Sequence, residues 1–300
     1  MTEPTVLLLG CQGQVGWELQ RALAPLGRLV ALHRQSTEWV GDLNDLKGLE
    51  RTVRQLRPQL IVNAAAHTAV DRAESERELA HRLNAQAPGV LAQAAQACGA
   101  WLVHYSTDYV FDGSGQRPWV EDDPTGPLNV YGATKLEGER AIEQACERHL
   151  ILRTSWVYAA RGGNFAKTML RLARERERLS VIDDQWGAPT GAELIADVTA
   201  QAAAQLLRGQ GRSGRYHLAA QGQISWHGYA QHVIATAQRL RPEAELAVRH
   251  IDAVPSSAFV TAATRPHNSR LDCTRLQATF GLRLPPWQQG VERMLQEILT

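Results

Sequence analysis

Lysine is nearly missing from this 300-residue chain: of its 32 lysines and arginines, only Lys47, Lys135 and Lys167 are lysine. A cation with no duty beyond the surface would be arginine here, so each lysine invites a chemical reason. Cysteine is as sparse. Cys11, Cys98, Cys146 and Cys273 form no C-x-x-C, have no histidine pair beside them, and leave reduced thiols as the expected state. The ten histidines contain no H-x-x-x-H, so neither zinc nor another metal is assigned. Long apolar runs are absent too. In "MTEPTVLLLGCQGQVG" the apolar core is short and preceded by Glu3, which excludes a signal-peptide core and a membrane span and reads as a strand.

Charge of one sign is also missing. A formal net charge of +1, with acids and bases interleaved, argues against a partner held by a basic face, whether nucleic acid or anionic membrane. What is present is ordinary for a cytoplasmic globular protein: 44% hydrophobic and 21% charged residues, enough to bury a full core.

Short apolar runs alternate with amphipathic stretches, the rhythm of βαβ units in a parallel sheet. Strands are expected at Thr5 to Leu9, Arg28 to Leu32, "QLIVNAA", "AWLVHYST" and "HLILRTSWVY". Helices are expected at Gln14 to Leu26, Asp45 to Leu56, Ala80 to Cys98 and Val130 to Ala145. The strands are apolar on both faces, as a sheet covered on both sides requires. After Tyr158 the rhythm loosens into helices from Asn164 to Arg178, Ala192 to Leu207, Ser225 to Gln238 and Gly290 to Leu299, with "LSVID" and "GRYHLAA" between them and an irregular proline-containing run before the last. The expected fold class is α/β: a doubly wound parallel sheet of Rossmann type over residues 1–158, and a smaller, partly interleaved α/β substrate domain over 159–300, some of whose segments return to the first.

Between the first strand and first helix stands Gly10-Cys11-Gln12-Gly13-Gln14-Val15-Gly16, a G-x-x-G-x-x-G loop. Glycines there allow a tight turn and close approach of a pyrophosphate, whose charge meets the free N–H groups at the helix N-terminus. At the end of the second strand, where a carboxylate commonly holds the adenosine ribose, this chain has His33 and Arg34. A cation in that place suits the 2′-phosphate of NADPH, with NADH accepted less well. Asp42, in "GDL" with Leu43, is a candidate for the adenine amino group.

Tyr131 and Lys135 stand at i and i+4 in "NVYGATK", opened by Pro127 and Asn129, so one helix face carries both. A tyrosine ionises near pH 10, and an adjacent ammonium is expected to lower that value and to reach a nicotinamide ribose. "HYSTDYVF" ends the fourth strand, where open parallel sheets place ligand-contacting groups, and Thr107 or Ser106 can orient a substrate carbonyl.

Taken in order, "GCQGQVGWEL", "VNAAAHTAVDRAE", "HYSTDYVFDG", "PLNVYGATKLEGE", "RTSWVYA", "NFAKTML", "DDQWGAPT" and "RPHNSRL" resemble the extended short-chain dehydrogenase/reductase family, and within it the dTDP-4-dehydrorhamnose reductases, over essentially the whole chain. The resemblance implies reduction of the 4-keto group of dTDP-4-dehydro-L-rhamnose by NADPH or NADH, the last step toward an activated sugar for bacterial surface polysaccharides. It implies Tyr131 as proton donor, Lys135 as its partner and ribose ligand, and Thr107 as the serine/threonine hydroxyl. It further implies Gly13, Gln14 and Val15 at the pyrophosphate, Ala66, His67, Thr68 and Tyr105 along the cofactor, and Asp108 and Trp156 with Thr107 at the sugar nucleotide. Arg265 is expected either at the diphosphate or in a surface salt bridge. The partner is a small nucleotide sugar, and a homodimer is compatible with the sequence. Another nucleotide-sugar reductase or epimerase, or a non-catalytic NADP-binding regulatory subunit, shares the glycine loop; intact Thr107, Tyr131 and Lys135 favour an enzyme over the latter.

Overall fold

The computed structural model describes residues 3–243 and 245–299. In chain order its main elements are β1 (Thr5–Leu9), α1 (Gln14–Leu23), β2 (Arg28–Leu32), α2 (Leu46–Leu56), β3 (Leu60–Asn63), α3 (Ala87–Cys98), β4 (Trp101–Thr107), α4 (Val130–Ala145) and β5 (His149–Thr154). They continue with α5 (Phe165–Glu175), β6 (Arg178–Ile182), α6 (Ala192–Leu207), β7 (Gly214–His217), α7 (Trp226–Leu240), β8 (His250–Val254) and α8 (Trp287–Leu299). Six strands make one sheet in the order β7-β5-β4-β3-β1-β2, parallel throughout. The strand order reverses beside β1, which opens a crevice at the carboxyl ends of β1 and β3.

Period-two alternation explains why both sheet faces are apolar. In β1, Val6 and Leu8 enter one core with Leu19, Val62, Leu152, Ile195 and Leu206. Leu7 and Leu9 enter the other with Val53, Ile61, Leu91 and Ile151. Helix α6 and strand β7 lie beyond Tyr158 in sequence yet belong to the first of these cores and to the sheet edge. A third core joins Tyr158, Met169, Leu170, Tyr229, Val233, Trp287 and Val291 from α5, α7 and α8. The parallel pair β6–β8 stands beside it, with β8 supplied by the stretch expected to be irregular.

Two expected elements are divided. The helix expected over Ala80 to Cys98 has a π segment at Arg82–Gln86 between Arg77–His81 and α3. Pro88 has no N–H to give the Asn84 carbonyl, and α4 crosses so closely there that a Cβ on Gly138 would lie 2.1 Å from that oxygen. The fifth strand stops at Thr154; Val157 and Tyr158 pair instead with Thr190 and Gly191. Trp156, between them, has φ +49°, a left-handed conformation that ends a strand.

Candidate active site

The carboxyl ends of β1, β3, β4 and β5 open into one cleft of about 1040 Å³. Gly10 turns with φ +81°, and a Cβ there would meet Ala65 N at 2.7 Å, so this turn tolerates no side chain. Gly13 is the N-cap of α1 and offers no side-chain acceptor, leaving the first-turn N–H groups for something else. The cleft wall also carries Ser106 Oγ, Thr154 Oγ1 and Ser155 Oγ, all buried and all without a hydrogen-bond partner among the described residues. A free helix N-terminus at one end and a row of unpaired hydroxyls further in are the donor set a dinucleotide and a polar co-substrate require.

Asn129 caps α4, its Oδ1 accepting from Gly132 N at 2.8 Å, so the next two turns present Tyr131 and Lys135 to the cleft. Tyr131 shares a hydrogen bond with Thr107. Thr107 Oγ1 also donates to Asp108 Oδ1 at 3.1 Å and accepts from Tyr109 N at 3.2 Å, which fixes its rotamer. Burial pushes the Asp108 carboxyl up to about 7, against the opposing hydrogen bonds from Ser269 and Thr107.

One electrostatic expectation is corrected. The phenol of Tyr131 is not lowered by Lys135; burial raises it to about 12, opposed by the hydrogen bond with Thr107. Lys135 Nζ is directed elsewhere, to the Tyr105 carbonyl at 2.6 Å and His104 Nε2 at 3.0 Å. Burial lowers the lysine itself to about 8, with Glu139 acting against the shift. Desolvation wins because both groups lie inside the wall rather than in water.

Of the residues singled out in the sequence, Gly10, Gly13, Gln14, Val15, Ala66, Thr68, Tyr105, Thr107, Asp108, Tyr131, Lys135 and Trp156 line this cleft together. Gly16 lies just behind it, where a Cβ would fall 2.0 Å from the Gly10 carbonyl. His33 and Arg34 stand outside the cleft wall, at the end of β2. Leu32 there accepts from Gly10 N at 2.9 Å and Cys11 N at 3.1 Å, so the pair adjoins the glycine loop. Arg34 is exposed and unpaired among the described residues, while His33 Nδ1 accepts from Gln35 N. Asp42 turns its Oδ1 to Asn44 N at 2.9 Å, and Leu43 is buried in the second core. His67 lies behind the wall, with Nε2 2.8 Å from Glu76 Oε2. Arg265 is not among the residues that line the cleft, and its Nη2 lies 2.7 Å from Asp71 Oδ2.

The structure adds wall residues that sequence reasoning missed: Asn63, Tyr109, Thr154, Ser155, Arg161 and Trp226. Trp226 stacks on Trp156 with ring centroids 3.5 Å apart, and Gly187 makes room, since a Cβ there would meet the Trp156 ring at 2.7 Å. No local pattern marks Trp226, which is 70 residues along and arrives only through packing of the third core. Arg161 lies over Trp17 at 4.1 Å, and Gln14 Nε2 donates to the Gly163 carbonyl at 2.9 Å, joining the glycine loop to the turn after β5.

Comparison with known proteins agrees with this geometry. A family model described as RmlD substrate binding domain matches residues 4–300. The dTDP-4-dehydrorhamnose reductase of Escherichia coli (strain K12) is 56% identical over 295 residues, covering 98% of each chain. That of Salmonella typhimurium is 58% identical over 295 residues with the same coverage. The solved structure of the Bacillus anthracis dTDP-4-dehydrorhamnose reductase in complex with NADP is 33% identical, with a TM-score of 0.88 over 99% of this chain and 100% of that one. A match across almost every residue, shared with full-length relatives bearing one name, means that this chain belongs to the RmlD family, alongside the dTDP-4-dehydrorhamnose reductases.

Proposed function

We propose that the protein reduces the 4-keto group of dTDP-4-dehydro-β-L-rhamnose with NADPH, giving dTDP-β-L-rhamnose. One observation carries this reading: Thr107, Tyr131 and Lys135 share one wall of a cleft whose other end is the glycine loop and the uncapped start of α1. NADPH, when bound, supplies the hydride. The glycine-loop amides hold its pyrophosphate, and Arg34 at the end of β2 meets its 2′-phosphate.

The chain's own part is to orient and protonate. Thr107 and Tyr131 converge on the position of the keto oxygen; with substrate bound, Thr107 turns its hydroxyl hydrogen from Asp108 to that oxygen, and both hydroxyls meet the negative charge that develops there. Tyr131 delivers its proton to that oxygen. A phenol held near 12 remains a proton donor throughout the neutral range. Lys135 keeps one N–H for the cofactor ribose. Asp108 and the Trp156–Trp226 stack bound the sugar-nucleotide end, and Ser155 and Thr154 supply further hydroxyls. Residues 1–158 serve as the dinucleotide-binding part and most of 159–300 as the substrate part, with α6 and β7 returning to the first sheet. No helix among the described residues is long and apolar enough to cross a membrane, and the free thiols suit the cytoplasm, where NADPH and nucleotide sugars are found.

Oxidation of NADPH by the purified protein, followed at 340 nm across a panel of 4-keto nucleotide sugars, tests the proposal. Turnover confined to the dTDP-4-dehydrorhamnose arm is expected. Turnover only with another sugar nucleotide, or none with any, would sink it.

A further inference from the structure

His104, on β4, is 1% exposed and sits between two polar side chains. Its Nδ1 is 3.1 Å from Asn63 Nδ2, and its Nε2 is 3.0 Å from Lys135 Nζ. Asn63 has its own fixed partner, because the Ala65 backbone N–H donates to Asn63 Oδ1 at 3.2 Å. A backbone N–H can only donate, so the amide oxygen must face Ala65 and the NH2 must face the imidazole. His104 Nδ1 is therefore an acceptor, and the single proton of the neutral ring is on Nε2, aimed at Lys135. Burial pushes the imidazole well below its usual range, so the ring stays neutral.

We propose that His104 is a positioning residue that sets the charge on Lys135, through a one-way hydrogen-bond chain running from the Ala65 amide by way of Asn63. Every donor is satisfied when Lys135 is an amine: its lone pair accepts from His104 Nε2–H, one N–H donates to the Tyr105 carbonyl at 2.6 Å, and the other faces the cleft. An ammonium in the same place would meet Nε2–H donor to donor. To accommodate it, the ring must change tautomer and Asn63 must turn its NH2 against the Ala65 N–H. The other groups near Lys135 do not relieve this. Glu139, one turn on along α4, is held by Arg153 of β5 at 2.6 Å. Tyr131, one turn back, is a neutral phenol, and the Asp108 carboxyl is bonded to Thr107.

The consequence for catalysis rests on the reductase reading, whereas the hydrogen-bond chain does not. A lysine lowered to about 8 can change charge within the working pH range, and His104 biases it toward the amine. The scarcity of lysine makes the test direct, because ¹³Cε-lysine labelling gives signals only from Lys47, Lys135 and Lys167, and Lys135→Met assigns the middle one. In the wild type, the Lys135 signal is expected to titrate well below the other two. His104→Gln presents an amide oxygen that accepts from an ammonium, and should move the Lys135 midpoint alkaline by about one pH unit. In Asn63→Asp the carboxylate accepts a hydrogen bond from Nδ1–H, which turns the Nε2 lone pair toward Nζ, and its charge adds to that effect, so the midpoint should shift in the same direction and further than in His104→Gln. The pH limb of kcat should follow in each variant, with KM for NADPH changing less than kcat. A wild-type Lys135 that titrates with Lys47 and Lys167 overturns the proposal, as does an unmoved midpoint in either folded variant. A wild-type protein that oxidises no NADPH with dTDP-4-dehydrorhamnose would refute the reductase reading and leave the titration untouched.

Discussion

Glu139→Ala removes one half of an ion pair that has no access to water. Arg153 Nη2 lies 2.6 Å from Glu139 Oε2 and Nε lies 2.9 Å from Oε1, a fork-to-fork pair whose side chains are 0% and 1% exposed. The guanidinium also donates to the Glu121 carbonyl at 3.3 Å and lies over Phe111 at 5.0 Å, so it cannot swing out to solvent without disrupting the wall behind α4. Breaking such a pair leaves an uncompensated buried cation, which costs about 3–5 kcal/mol. For a chain of this size that corresponds to a fall in Tm of about 5–8 °C. The pair itself need not stabilise: replacing both partners by apolar residues of similar volume is commonly neutral. Glu139→Leu/Arg153→Met should therefore recover most of the loss. Thermal unfolding followed by circular dichroism, arranged as a double-variant cycle, reads both quantities. A Glu139→Ala loss below about 1 kcal/mol, or a double variant no more stable than the single, would refute the assignment of the cost to the stranded arginine. Function supplies a second reading, since Glu139 raises the Lys135 pKa and its removal should move that titration toward acid.

Tyr131→Phe should keep cofactor binding and lower kcat by roughly 10²- to 10⁴-fold, the range of general acid catalysis; near wild-type turnover would exclude Tyr131 as donor. Arg34→Ala should erase most of an NADPH preference of roughly five- to a hundredfold in kcat/KM, with NADH nearly unaffected and the preference itself shrinking with salt, because Arg34 is exposed. Equal weakening of both cofactors would count against that assignment. Asp108 is raised in the folded protein from 3.8 to about 7, so the stability it contributes is fully present below pH 3.8 and is lost as pH rises through 7. Asp108→Asn should therefore stabilise the free protein at pH 8, by about 2–4 kcal/mol, and leave it unchanged near pH 4, as measured by urea unfolding at both values.

Local chemistry was legible without the fold wherever the signal was short in sequence. The glycine loop between a strand and a helix, the Tyr131–Lys135 pair one turn apart behind an Asn129 cap, and the strand end at Thr107 are each set by a handful of neighbouring residues. The alternation of apolar strands and amphipathic helices likewise declared a parallel sheet covered on both faces, because that burial leaves its pattern in every element. The lysine scarcity that singled out Lys135 needed no coordinates either.

What only the tertiary structure decided is how distant segments meet. Period and propensity cannot say that β8 would pair with β6, or that β7 would extend a sheet begun two hundred residues earlier; both depend on which edge is free once the cores have formed. Trp226 reaches the cleft through the third core, and Arg265 finds Asp71 across 194 residues. Burial, finally, reversed an electrostatic expectation. Adjacency of Tyr131 and Lys135 on one helix face predicts a lowered phenol, but a wall that excludes water disfavours charge on both, and His104, Asn63 and the Tyr105 carbonyl direct the lysine away from the tyrosine. Spacing along the chain determines which groups can face the cleft; their desolvation, and the partners that two neighbouring strands bring to them, determine the charge they carry there.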